Sequence, residues 1–360
     1  MAQRRFHCDG CGANVEFQPG AEHLQCPYCG TEKAIPSSEA EVEEHDLEAA
    51  FARGLGDAPR LEARTARCGA CGASTRLPEG TTASRCAFCD APMVTPPRAE
   101  SVLAPQALLP FSVDAKAAKE GFQAWLKSRW FAPSDLARRA RREGLDGVYL
   151  PFFTFDAATE TLYRGERGEH YYETERYIEE EDGRRVERTR TVQRTRWYPA
   201  RGTVWLTFDD VLVLASKGLP EPMVEKLEPW DLEALVPYRE DYLSGFSAEC
   251  DQRGLADAFE RGKARCADRI EDEVRRDIGG DEQRIHRHRT AWTNLSYKHV
   301  LLPAWVGAFR YGDRVYRVVV NARTGEVQGE RPWSPWKIGL AVAAAAIALG
   351  AVVWLASAAG

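Results

Sequence analysis

The chain has 360 residues, 28% of them charged and 44% hydrophobic, with a formal net charge of -6 at pH 7. That length admits more than one folded unit, and the mildly acidic balance excludes a general electrostatic attraction to nucleic acid. Ten tryptophans and twelve tyrosines need more buried surface than a small metal-held module offers, so a larger core must lie downstream of the N-terminal cysteines.

Those cysteines come first in the chain. Cys8-Asp9-Gly10-Cys11 is followed by fourteen residues and then Cys26-Pro27-Tyr28-Cys29, and the unit recurs sixty residues on as Cys68-Gly69-Ala70-Cys71 and Cys86-Ala87-Phe88-Cys89. The repeat extends beyond sulfur: Gly12-Ala13 answers Gly72-Ala73, Gly20 answers Gly80 and Tyr28 answers Phe88. Two residues between paired cysteines let one tight turn aim two thiolates at one ion, and a second turn completes a tetrahedral S₄ site. No His or carboxylate stands at a ligand position, so the spacing predicts two structural Zn²⁺ ions rather than a catalytic one. Disulfides would need an oxidising compartment, and Met1 to Arg5 leads into Cys8 without an apolar signal region. A redox site would show one CxxC opening a helix, not four. The pattern resembles the zinc ribbon family, two knuckles joined by a short β-hairpin, over roughly residues 6–31 and 66–91.

Each ribbon is too small to bury a sufficient core, so metal binding is expected to supply most of its folding energy. The organisation read from the sequence is a first ribbon over 1–35, an acidic helical linker over 36–64, a second ribbon over 65–95, an α+β domain over 96–332 and a transmembrane helix over 337–357. The linker's Glu39, Glu41, Glu43, Glu44, Asp46 and Glu48 would repel phosphates. Basic residues in the ribbons are few: Arg4, Arg5, Arg67, Arg76 and Arg85. A protein partner is therefore preferred to nucleic acid.

Prolines at 92, 96, 97, 105 and 110 mark entry to the larger domain. A helix is predicted from Asp114 to Arg129, with Ala118, Phe122 and Trp125 on one face. A shorter one, capped by Ser134, runs from Asp135 to Glu143 and ends at Gly144. Its Arg138, Arg139, Arg141 and Arg142 form either a solvated face whose cations suit the helix C-terminus or a patch for an anionic partner. Val148 to Phe155 reads as a strand. The next stretch, with Arg184, Arg185, Arg188, Arg190, Arg194 and Arg196, looks at first like a nucleic-acid arm. Folding the chain at Asp182-Gly183, a hairpin turn, gives a different reading. Glu181 then faces Arg184, Glu180 faces Arg185, Glu175 faces Arg190, Glu169 faces Arg196 and Tyr177 faces Arg188, which predicts a long self-neutralised hairpin. A strand over Thr203–Ala215 continues the sheet, taken as antiparallel.

Short helices and turns are expected across the proline-rich residues 219–250, then a long amphipathic helix from Leu255 to Ile278 ended by Gly279-Gly280. Its stripe of Phe259, Cys266, Ile270, Val274 and Ile278 makes Cys266 a buried thiol, and neither it nor Cys250 is expected to be a ligand or nucleophile. Strands follow near Gln283–Thr293, Lys298–Tyr311 and Val315–Asn321, with a return near Val327. His286 and His288 share a strand face in this reading but lack a third ligand. From Ile338 to Gly360 there is no charge, enough for a helix of about twenty residues to cross a hydrocarbon core. Trp333 and Trp336 stand at interface depth, and Arg331 and Lys337 on the N-terminal side place the body in the cytoplasm of a bacterial inner membrane.

Trp130-Phe131-Ala132-Pro133, Gly147 to Phe152, Tyr163 to Gly168, Arg196 to Pro199, Phe208-Asp209-Asp210, Asp277 to Asp281 and Asn321 to Gly329 carry a wider likeness. Together with the ribbons they resemble a bacterial family of TFIIB-type zinc-ribbon membrane proteins often labelled primosomal protein N′, the replication-restart helicase. A motor needs Gly-x-x-x-x-Gly-Lys followed by Ser or Thr. The single Gly-Lys is Gly262-Lys263, with Ala264 after it and Asp257 at the first glycine position, so no motor is expected. No triad or paired-acid spacing points to an enzyme either. The reading is an α+β protein with two zinc ribbons and a C-terminal anchor, acting as a membrane-held adaptor for a protein. The alternative is a replication-associated nucleic-acid binder that uses the ribbons and Arg138 to Arg142.

Overall fold

A computed structural model describes residues 6–36, 42–53, 59–76, 84–93, 98–140, 144–181 and 184–358. The first cysteine unit holds β1 (Glu16–Phe17), β2 (His23–Gln25) and β3 (Glu32–Ala34), an antiparallel sheet of its own. The linker gives β4 (His45–Asp46) and α1 (Leu47–Arg53). Around the second unit lie β5 (Arg60–Arg67), β6 (Ser74–Arg76), β7 (Ser84–Arg85), β8 (Pro92–Met93) and β9 (Arg98–Leu103). Then come β10 (Ala107–Leu108), α2 (Ala115–Ser128), α3 (Leu136–Ala140) and two very long strands, β11 (Asp146–Glu181) and β12 (Arg184–Leu214). The C-terminal half adds α4 (Glu221–Glu225), β13 (Val236–Pro237), β14 (Ser247–Glu249), α5 (Leu255–Ile278), β15 (Glu282–Tyr311), β16 (Arg314–Asn321), β17 (Val327–Gly329) and α6 (Pro335–Ala358).

Twelve of these strands form one sheet, running β13-β10-β15-β11-β14-β6-β5-β9, with β12 against β11 and with β16, β17 and β4 joined through β15. The expectation of an antiparallel sheet is corrected: β10 pairs parallel with β15, and β14 pairs parallel with β11. Parallel neighbours need a crossover connection. The path from β11 to β14 makes one, through β12, α4 and the turns of the proline-rich segment. The two strands expected at 283–293 and 298–311 are one strand, β15, which passes through Asn294 in the left-handed region (φ 52).

Along its centre the sheet is buried on both faces, and alternation divides its residues cleanly. Tyr149, Leu301 and Trp305 join a cluster with Phe17, Leu24, Phe111, Phe122 and Leu136. Val148, Leu150, Phe152, Val300, Leu302 and Ala304 face the other way, toward Cys68, Cys86, Phe88, Leu219 and Leu227. The first cysteine unit, with α2 and α3, therefore covers one face, and the second unit, with α4, covers the opposite face. Phe17 packs edge-on against Tyr242 at 5.2 Å, while Phe111 stacks on Phe246 at 4.0 Å. The linker is strapped to β15: β4 pairs with Ser296–Tyr297, and the buried Lys298 Nζ lies 2.9 Å from Glu44 and 2.8 Å from Asp210. Lys298 in turn holds the Glu44 carboxyl below its usual range.

Local signals explain the helices. Asp114 caps α2 by accepting the Ala117 N–H at 2.7 Å, and Ala118, Phe122 and Leu126 are buried beneath it. The α5 stripe buries Phe259, Cys266, Ile270, Val274 and Ile278 against β11 and β12, and Gly279 (φ 67) ends the helix. Beyond this support the two long strands continue as an arm in the register read from the charges: Glu181↔Arg184, Glu180↔Arg185, Tyr177↔Arg188, Glu175↔Arg190 and Glu169↔Arg196. The turn at Asp182-Gly183 lies outside the described residues. Arg190 and Arg194 both bind Glu175.

Candidate metal centres

Each cysteine unit folds into two knuckles that bring four sulfurs together. Cys8 Sγ is 3.4 Å from Cys29 Sγ, and Cys11 Sγ is 3.5 Å from Cys26 Sγ. In the second unit Cys68–Cys89 and Cys71–Cys86 are both 3.6 Å apart. Within each set all ligand atoms lie within 4.8 Å of one another. A tetrahedral thiolate site with metal–sulfur bonds of about 2.3 Å spaces its sulfurs by about 3.8 Å, so either cluster can hold one metal ion. None of the ten cysteines is in a disulfide. Cys250 and Cys266 are buried apart from both clusters, and burial raises each thiol to about 11.

The knuckles share one backbone device. Cys8, Cys26, Cys68 and Cys86 each donate N–H to a carbonyl five residues on and accept at their own carbonyl from the residue four on. The accepting loop closes on a residue with positive φ: Gly12 (75°), Gly30 (75°), Gly72 (80°) and Asp90 (58°). A Cβ at Gly12 or Gly30 would meet nothing within 4 Å, so the need for glycine there is conformational alone. Gly12→Ala or Gly30→Ala is expected to cost about 1–2 kcal/mol, and Gly69→Ala, at an ordinary φ with equal space, almost nothing; denaturant midpoints of the metal-loaded protein check this. Asp90 tolerates its position as acidic turn residues do, and Arg85 holds its carboxylate at 2.5 Å.

In each unit the first cysteine of every knuckle is buried and the second lies further out. One outer thiol per cluster is acidified. The Thr31 hydroxyl brings Cys29 down to about 6, and a hydrogen bond from Cys86 brings Cys71 down to about 5. A thiolate present near neutral pH is the form that takes a metal.

The repeated knuckles part company at Tyr28 and Phe88. Phe88 is 0% exposed in the core beneath the sheet, whereas Tyr28, its counterpart sixty residues earlier, is 82% exposed. The second unit is wedged into the body by its aromatic tip, and the first presents that tip to solvent. Sequence periodicity aligns the two residues and carries no sign of this difference.

The other predicted residues are placed as follows. Arg138 and Arg139 lie on α3, where Arg139 pairs with Asp135 at 2.7 Å and covers the Tyr311 ring at 5.2 Å. Arg141 and Arg142 lie outside the described residues. His286 reaches Glu166 at 3.4 Å, while His288 sits across from Tyr163. Among the described residues the two tetracysteine groups are the metal-ligand clusters present.

α6 is long and apolar enough to cross a membrane: Pro335–Ala356 has a mean hydropathy of 2.4, and among the described residues none of that stretch is buried. Its root is tied to the corner between α2 and α3. Ser334 N–H donates to the Phe131 carbonyl at 2.8 Å, and Lys337 Nζ donates to the carbonyls of Trp130 and Ala132 at 3.1 and 2.8 Å. Trp130, 78% exposed, thereby joins Trp333 and Trp336 around the root, a neighbour that spacing along the chain could not reveal.

The chain is similar to an uncharacterized protein of Bacillus subtilis (strain 168), YdjG. The two are 27% identical over 335 residues, which cover 92% of this chain and 91% of the relative. No family model matches the chain, and no solved structure matches it.

Proposed function

We propose that this protein is a tail-anchored zinc-ribbon adaptor. In this reading Zn²⁺ fills both tetrathiolate clusters, α6 spans the inner membrane of a bacterium, and the body faces the cytoplasm to hold a partner protein at the bilayer. The chemistry supports zinc: four cysteines and no oxygen donor suit a closed structural site. Arg331 and Lys337 at the root of α6 support a cytoplasmic body, since cations gather on that side of a span, and the three tryptophans suit the depth of a membrane interface. The adaptor role is carried by one observation, the 82% exposure of Tyr28 at a tip whose counterpart is buried. A rigid knuckle that offers an aromatic ring to solvent has the make-up of an interface anchor.

Purified full-length protein is expected to carry two equivalents of zinc and to remain with membranes after carbonate washing. Tyr28→Ala should leave both properties intact and shift the denaturation midpoint by less than about 0.5 kcal/mol, while removing the crosslinked partner recovered from membranes. Far fewer than two equivalents of metal, or a fully soluble chain, would overturn the reading. Unchanged partner recovery from the Tyr28→Ala protein would remove the role given to the first ribbon.

A further inference from the structure

The outer part of the arm sets opposite charges across from one another, as with Glu175 and Arg190. Nearer the body the same strands break that rule. Arg164 stands directly across from Arg201 on β12 and from Arg287 on β15, and Arg289, across from Leu162, is one row further on. Like charges directly opposite destabilise a sheet. The intervening Tyr163 turns its hydroxyl to Asp277 on α5 at 2.5 Å, so by alternation the arginines lie on the other face, which α5 does not cover. All four are exposed. Among the described residues none of them makes an ion pair, whereas Arg188, Arg190 and Arg194 on the arm and Arg261, Arg275 and Arg276 on α5 all do. With Leu162 and Thr203 they line an open groove of about 730 Å³.

We propose that this arginine face docks a short acidic segment of a partner protein that also carries apolar side chains. Guanidinium forks match carboxylates two oxygens at a time, and an acidic segment supplies the countercharge that the fold withholds from this row of four. Leu162 (54% exposed) and Trp205 (68% exposed) lie on the same face beside the row and give an apolar neighbour its contact. Glu160 and Glu166 stand on that face at either end of the row along β11. They suit a short segment and oppose a phosphate backbone continuing past it. Roughly 60 Å of strand, at about 3.3 Å per residue, separates Arg289 from Gly307, so the row lies far along β15 from the strands that lead back to the root of α6. The assignment names a partner chemistry for the adaptor and rests on that reading for the partner's being a protein.

The test uses full-length protein in nanodiscs of neutral lipid. The probes are a fluorescein-labelled glutamate–leucine peptide, its lysine–leucine counterpart and an oligothymidylate of matched length. The glutamate–leucine peptide is expected to bind, more weakly as salt rises, and to lose at least tenfold in affinity to an Arg201→Glu, Arg287→Glu variant. The lysine–leucine peptide should not bind. Because the variant relieves like-charge repulsion, its thermal midpoint should equal or exceed that of the parent, whereas a merely structural cluster would give a lower one. Tighter binding of oligothymidylate than of the peptide would reassign the face to nucleic acid and overturn the proposal. Equal peptide affinity in parent and variant would also overturn it, as would a lowered midpoint without peptide binding. Zinc content and nanodisc retention are measured on the same samples: their loss would count against the adaptor reading, and loss of peptide binding with both intact counts against this face alone.

Discussion

A Cys68→Ser protein is expected to lose one equivalent of metal and to melt as a whole at a temperature lower by 10 °C or more, while Cys8→Ser loses its own equivalent with a smaller, local transition. The second unit is built into the large sheet. β6 pairs with β14, and β14 with β11. The Cys250 N–H donates to the Ser74 carbonyl at 2.8 Å, and Gln252 donates to the Gly72 carbonyl at 3.2 Å. Phe88, Cys68 and Cys86 lie in the same cluster as Leu150, Leu302 and Leu227. Structural Zn²⁺ supplies apparent binding energies of about 10–16 kcal/mol in small modules, as large as the entire stability of a domain at about 5–15 kcal/mol. Collapse of this ribbon therefore uncovers the part of one sheet face that α4 leaves to it. The first ribbon packs Val15, Phe17 and Leu24 into the core but keeps a separate three-stranded sheet and, among the described residues, pairs no strand with the large one, so the central strands can outlast it. Circular dichroism melts with metal analysis before and after would show two separable behaviours. Equal losses from both variants would mean that the faces are not held independently.

How much of this was legible in the sequence depended on whether the signal was local. The arm's register could be read because Glu175, Glu180 and Glu181 meet arginines only when the chain is folded about Asp182-Gly183. The end of α5 could be read because a stripe repeating every four residues from Cys266 to Ile278 stops at two glycines. β14 could not: three residues, Ser247 to Glu249, carry no periodicity, and their parallel partner lies about a hundred residues away. β15 looked like two strands because Asn294 and Ser296 resemble a turn, yet a single left-handed residue is absorbed in the ladder. The cysteine spacing gave the donor set of each cluster but not which face of the sheet each would cover. That choice rests on Phe17, Tyr28 and Phe88, whose roles exist only once the body is present. The unpaired arginine row was hidden for the same reason, since β15 joins the arm as a third strand only in the tertiary structure.

Glu249→Gln is expected to stabilise the protein at pH 8 by about 2–4 kcal/mol and to have little effect near pH 4.5. Glu249 is fully buried where β14 meets β6; its Oε1 accepts the Gly218 N–H at 3.2 Å, and its Oε2 has no partner. Burial raises its carboxyl from 4.5 to about 8. The native state thus holds a proton that the unfolded carboxylate releases. Stability then falls as pH rises from 4.5 to about 8 and levels off above, the reverse of an ion-paired acid. At about 1.4 kcal/mol for each pH step the penalty is bounded at about 5 kcal/mol, and relaxation around the charge reduces it. Glutamine keeps an acceptor for Gly218 and never ionises, so the stability difference between variant and parent should open steadily across that pH window. Denaturant midpoints at a series of pH values, with metal content held constant, measure it directly. A difference independent of pH would show that the side chain acts through shape alone, and a parent more stable at pH 8 than the variant would show that the carboxylate has a cationic partner in solution.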